Sequence, residues 1–226
     1  MTRPLHRTLL LAALAIAPAL GPAALAQPAS PPPAPRPAAP AAPATAAPEA
    51  PADGLGQQEH QVLAAAQALA KDASQMMDQW IITGASSEDR LFSRLYFPVP
   101  KTDPLKFTTP YDTLADRDLV GPEDRALARS AAWQYAIITD INGYVPAHNT
   151  RFAQPLTGVT AQDYVNNRTK RMFGDLASLS AARNEGPFLI QRVRLETGDV
   201  IYDLSVPVMV RGKHWGCARI GYRRSE

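Results

Sequence analysis

Two arginines three positions apart, Arg168 and Arg171 in the run "NNRTKRMFGDLASLSAAR" (166–183), are the residues of this sequence best suited to holding a ligand. By its periodicity the run reads as a helix, with Met172, Phe173, Leu176 and Leu179 sharing a face and Asn166 or Asn167 as its cap. Both arginines then fall in the first turn, where free backbone N–H groups and a partial positive charge already favour an anion or carboxylate. The competing reading pairs them with acids such as Asp163 or Asp175. Arg183 shares the apolar face, but it lies more than about 20 Å along the helix from Arg168 and cannot hold the same small ligand.

A second group lies in "TDINGYVPAHN" (139–149) and at the start of the last apolar run. His148 and Asn149 end a short returning strand, Tyr144 begins it, and His214-Trp215 open the final strand. With Arg168 and Arg171, the residues His148, Asn149, Tyr144 and Trp215 make up the candidate ligand-binding set. Aromatic residues at strand positions, Trp133, Tyr135, Tyr144 and Trp215 among them, serve a pocket or a core equally well.

The sequence carries no His-Glu-x-x-His, no Cys-x-x-Cys-His and no paired cysteines, so neither a metal nor a haem is expected. No Gly-x-Ser-x-Gly elbow, phosphate-cradling glycine loop or dinucleotide fingerprint occurs either. Asp140 and Asp203 form a catalytic pair only if the fold joins them, so the expectation is a protein that is not an enzyme, with no cofactor.

The elements that must position these residues follow from periodicity and punctuation. Val62, Ala66, Leu69, Ala73, Met76 and Trp80 recur at alternating spacings of four and three, which predicts one long helix over 57–81, stopped by Gly84. Its seam either packs on the domain's own sheet or serves a homodimer or a membrane receptor. From 92 to 124 prolines forbid long elements, and Pro122-Glu123-Asp124 starts a short helix reaching about Ala132. "WQYAIITD" (133–140) is a buried strand, and Asn142-Gly143 is a hairpin signal returning Tyr144 to His148 beside it. After the helix over 166–183 come three strands, "PFLIQRVRLE", Val200 to Val210 and Lys213 to Tyr222, joined by turns at Gly198-Asp199 and Arg211-Gly212. This order predicts an α+β fold, an antiparallel sheet of about five strands with helices packed on one face.

Ahead of the domain, Arg3 and Arg7 precede "TLLLAALAIAPALGPAALA", which ends in the small-x-small pattern Ala24-Leu25-Ala26, so residues 1–26 read as a secretory signal cut before Gln27. The rival is an uncleaved anchor helix. Residues 27–54 hold about ten of the 22 prolines and no large apolar residue, the composition of an extended spacer. Loss of Arg3 and Arg7 brings the formal charge of +2 to zero, which gives no basic excess to suggest a nucleic-acid or membrane-surface partner, so no nucleic acid is expected. The single cysteine, Cys217, excludes an internal disulfide. The expected location is periplasmic or secreted.

Five stretches in this order, "FPVPKTDP", "TDINGYVPAHN", "NRTKRMF", "AARNEGPF" and "SVPVMVRGKHWGCARIGYR", resemble the extracytoplasmic Cache (PAS-like) sensor domains of some methyl-accepting chemotaxis proteins, over about residues 57–222. The resemblance implies a central antiparallel sheet, a long N-terminal helix and a small-molecule pocket between the sheet and its capping loops. It departs in having no transmembrane helix, HAMP linker or signalling coiled coil before Glu226. The expectation is therefore a free-standing sensor that binds a small anionic metabolite and signals through a partner. The alternative is an interaction module with a vestigial pocket, docking through its long helix.

Overall fold

A computed structural model describes residues 54–195 and 197–224; the leader over 1–26 and the spacer up to residue 53 lie outside the described residues. Its first element is the long helix α1 (Gln57–Ile82), in which Val62, Ala66, Leu69, Ala73, Met77 and Trp80 are buried and Met76 is half-buried. The seam packs on the last two strands of the same chain, and its alanines let the helix axis approach them closely. A docking or dimer role for α1 would have to use the polar face that remains.

The proline-rich stretch is more regular than its composition predicts. A one-turn helix α2 (Glu88–Leu91) is capped by Ser87, whose Oγ accepts from Arg90 N at 3.2 Å. Strands β1 (Phe97–Val99) and β2 (Lys106–Thr108) then pair antiparallel, and α3 (Asp112–Asp118) runs directly into α4 (Val120–Leu127). Pro122 sits inside the first turn of α4, where its missing N–H is no loss, so the helix begins before the proline and ends short of Ala132.

Strand β3 (Trp133–Asp140) forms where the sequence places it, and the Asn142-Gly143 turn closes with Gly143 N donating to the Asp140 carbonyl at 2.9 Å. The returning segment does not pair with β3 as a strand. Strand β4 (Tyr144–Val145) pairs with β5 (Arg171–Met172) instead. Two side chains occupy the edge of β3 that a hairpin would use. Asn149 Oδ1 accepts from Ala136 N at 2.8 Å, and Glu123 Oε1 accepts from Ile138 N at 2.9 Å.

The helix expected over 166–183 is replaced by three pieces: α5 (Thr160–Asn166), β5, and α6 (Leu176–Ala182). Lys170 takes a left-handed φ of 62°, which ends any helix there, and Asp175 caps a fresh one by accepting from Ser178 N at 3.0 Å. Arg168 and Arg171 therefore do not sit at a helix start.

The meander follows as expected, with β6 (Leu189–Arg194), β7 (Val200–Val210) and β8 (Lys213–Tyr222). The main sheet is fully antiparallel in the order β3-β8-β7-β6, four strands where about five were expected. Leu204, Val206, Val208, Ala218 and Ile220 join the core under α1, while on the opposite face Tyr135, Ile137 and Ile201 pack with Val145, Phe152 and Phe173, and Cys217 packs against α6. Helices thus cover both faces, not one. The fold is α+β. Among the described residues no helix is long and apolar enough to cross a membrane.

Candidate functional site

On the face of the sheet away from α1 lies a cavity of about 510 Å3. Alternation in the strands builds its floor. Asp203 on β7 and Arg219 on β8 both turn to this face and are buried, with Arg219 Nη2 donating to Asp203 Oδ2 at 3.0 Å and Nε at 3.2 Å. Tyr135 OH donates to Asp203 Oδ1 at 2.7 Å and Gln191 Nε2 to Oδ2 at 3.3 Å. The Tyr135 ring lies over Gly221, where a Cβ would come within 2.4 Å of it, so the glycine lets the phenol reach the acid. Burial opposes the charge on Arg219, but Asp203 outweighs it and holds the guanidinium charged, above its ordinary pKa.

The walls carry more arginine. The Arg168 guanidinium lies 4.5 Å from the centre of the Phe152 ring, and its Nε donates to the Val165 carbonyl at 3.1 Å. Arg171 is held between the Tyr164 and Phe173 rings, 4.2 and 4.8 Å from their centres, with Nη1 donating to the Tyr164 carbonyl at 3.0 Å. Both are only 7% exposed, and both have further interactions within the chain. They are groups already fixed in place, which lowers the entropy a ligand would lose in ordering them. Arg192 and Arg194 join the lining from the exposed edge of the sheet, with Arg194 Nη1 donating to the Gly198 carbonyl at 2.9 Å, so the described lining holds five arginine residues. Asp175, the acid among the described lining residues, is exposed and committed to capping α6.

His148 completes the arrangement. It is 2% exposed, its ring meets Phe152 edge-on at 5.1 Å, and its Nδ1 is buried without a hydrogen-bond partner. Burial pushes its pKa well below the usual histidine range, and the charges of Arg168, Arg171, Arg151 and Lys106 push the same way, so the imidazole is neutral.

Of the six residues singled out from sequence, the fold brings Arg168, Arg171 and His148 to the cavity. The other three belong to the framework. Asn149 is buried at the edge of β3 and also donates to Asp124 Oδ1 at 3.4 Å. Tyr144 is buried with its hydroxyl on Asp112 Oδ2 at 2.9 Å, and Trp215 is buried under α1 with Nε1 donating to the Leu91 carbonyl at 3.0 Å. Sequence reasoning missed Arg192, Arg194 and Arg219. The signal for Arg219 was a charged residue inside the otherwise apolar strand "CARIGY", a position that calls for a buried partner.

Asp140 and Asp203 do not meet. Their partners on β8, Gly216 and Gly221, stand five residues apart, about 16 Å along the strand. Asp140 instead anchors the Asn-Gly turn, its Oδ1 accepting from Asn142 N at 2.9 Å and Tyr144 N at 3.0 Å. Among the described residues no group of three or more His, Cys, Asp or Glu converges as a metal site. The chain matches no protein-family model and no curated protein.

Proposed function

We propose that this chain is a Cache-like, PAS-type sensor domain that takes a small anionic metabolite, such as a carboxylate, into the cavity on its sheet and passes occupancy to a partner protein. One observation carries the reading: a cavity of about 510 Å3, the size of a small-metabolite site, has five arginine residues in its lining, of which Arg219 is paired with Asp203. Arginine is the side chain that matches carboxylate and phosphate with paired N–H donors, and aromatic stacking fixes two of these five before any ligand arrives. The five stretches that resemble the Cache family lend the sensor assignment, and the apolar leader before Gln27 lends a periplasmic or secreted location.

The test is a thermal-shift screen of the full chain against carboxylates, amino acids, polyamines and purines. A binder at one hundred times its Kd adds about 2.7 kcal/mol, and for a chain of this size moves Tm by about 5–10 °C. Carboxylate hits are expected. Arg171→Met keeps an apolar stem between Tyr164 and Phe173 but removes the guanidinium, and should weaken those hits at least about tenfold. A flat screen on folded protein, or hits that Arg171→Met leaves unchanged, would sink the assignment.

A further inference from the structure

His148 is a buried polar group whose own fold leaves it incomplete. An unpartnered buried ring nitrogen is ordinarily destabilising, and here that nitrogen belongs to a side chain lining the cavity. The cations that bear on the ring come from four segments: Arg151 from the 3-10 turn Thr150–Phe152, Arg168 from the segment after α5, Arg171 from β5 and Lys106 from β2. The acids of the surrounding elements have other engagements. Asp124 of α4 accepts from Thr150 N at 2.9 Å, Asp163 of α5 from Thr157 N at 2.8 Å, and Asp175 from Ser178 N at 3.0 Å. Beneath the ring's side of the sheet, Asp203 is bound by Arg219 and Tyr135.

Resting on the anion-binding reading above, we propose that His148 Nδ1 hydrogen-bonds an anionic oxygen of the ligand and that the imidazole takes up one proton from solvent as the ligand enters, so that binding tightens as pH falls. The balance is simple: one proton moves from water to the ring, and no bond in the ligand breaks. An anion beside the imidazole offsets the four cations and favours the charged form, which then has two N–H donors to offer. By reciprocity, if the ligand raises the affinity for the proton, the proton raises the affinity for the ligand by the same factor.

The sign follows from the direction of the shift. Without ligand the ring titrates well below 6.5, and with an anion bound it titrates higher. Between those two values each ligand brings one proton with it, and Kd rises about tenfold per pH unit as pH rises. Outside that window the affinity is flat.

The probe is sulfate, whose double negative charge is constant from about pH 5 to about pH 8, the range in which histidine switches. Titration calorimetry of the full chain should show sulfate affinity falling as pH rises, with uptake of a proton visible as a difference in heat between two buffers of unequal ionisation enthalpy. His148→Gln, which cannot titrate, should lose the pH dependence. Should that variant fail to fold, the buffer comparison on the unaltered chain decides. Sulfate binding with constant affinity and no proton uptake overturns the role of His148 and leaves the anion site standing, as does a folded His148→Gln that keeps the full pH dependence. If sulfate and the carboxylates all fail to bind at every pH, the anion site itself is wrong.

Discussion

Cutting the acid from the buried pair under the cavity, by Asp203→Ala, should be among the most damaging single changes in this chain. The variant leaves the Arg219 guanidinium, 4% exposed, without the carboxylate that now accepts from its Nε and Nη2 at 3.0–3.2 Å. It also strips Tyr135 OH of its acceptor and Gln191 Nε2 of one of two, the Ala177 carbonyl remaining at 2.7 Å. An unpaired buried charge of this kind costs about 3–5 kcal/mol, because the ion's desolvation is no longer offset. For a chain of this size that is a fall in Tm of about 6–20 °C. Arg219→Met should be milder, since Asp203 keeps the tyrosine and glutamine as donors. The double variant Asp203→Ala/Arg219→Met should recover at least about 2 kcal/mol over Asp203→Ala alone, because no charge is then stranded. Urea unfolding of the four proteins, read by circular dichroism, measures all three differences. If Asp203→Ala lay within about 1 kcal/mol of the unaltered chain, or the double variant were no more stable than Asp203→Ala, the pair would not be the buried, mutually dependent unit argued here.

Two further outcomes follow from the edge of β3. Glu123 is fully buried, with Oε1 accepting from Ile138 N, and burial raises its carboxyl well above the usual range against the opposing effect of that hydrogen bond. A raised folded-state pKa means that the folded chain holds a proton the unfolded chain has lost. Stability should therefore fall by up to about 1.4 kcal/mol per pH unit as pH rises above 4.5, toward the folded pKa. Glu123→Gln keeps the acceptor without the titration and should flatten the pH profile measured by thermal unfolding; a profile that Glu123→Gln leaves unchanged would assign the slope to another group. Asn149→Ala orphans the buried Ala136 N–H and should cost about 1–3 kcal/mol in urea unfolding while leaving anion affinity intact, whereas lost affinity at preserved stability would return Asn149 to the site.

Where the signals were local, the sequence could be read. The seam of α1 is a six-residue helical periodicity, and the β6–β8 meander is marked by Gly198-Asp199 and Arg211-Gly212, two turns whose glycines take φ of 91° and 74°. Where a segment's partner lay far along the chain, local rules misled. Met172, Phe173, Leu176 and Leu179 have helical spacing, yet Leu176 ends up 84% exposed because Tyr144-Val145 claims Arg171-Met172 as a strand partner. Arg168 and Arg171 thus line the cavity for a reason other than the one the sequence suggests: side-chain stacking on Phe152, Tyr164 and Phe173 places them there, not the N-terminus of a helix.

The floor of the cavity depends on a single irregularity that spacing alone does not reveal. Counted back from the Arg211-Gly212 turn, Val210 faces Lys213 and Met209 faces His214, so a regular ladder would set Arg219 opposite Leu204, on the α1 face. The register shifts between Val208 and Met209, Gly216 takes the place opposite Val208, and Trp215 bulges into the core under α1. Every later residue of β8 changes face as a result: Ala218 and Ile220 go under the helix, and Arg219 comes to stand opposite Ser205, next to Asp203. Trp215 was singled out from sequence as a ligand contact and is not among the residues lining the cavity. By filling the bulge it turns Arg219 toward the cavity, so its bearing on the cavity runs through the register of the strand.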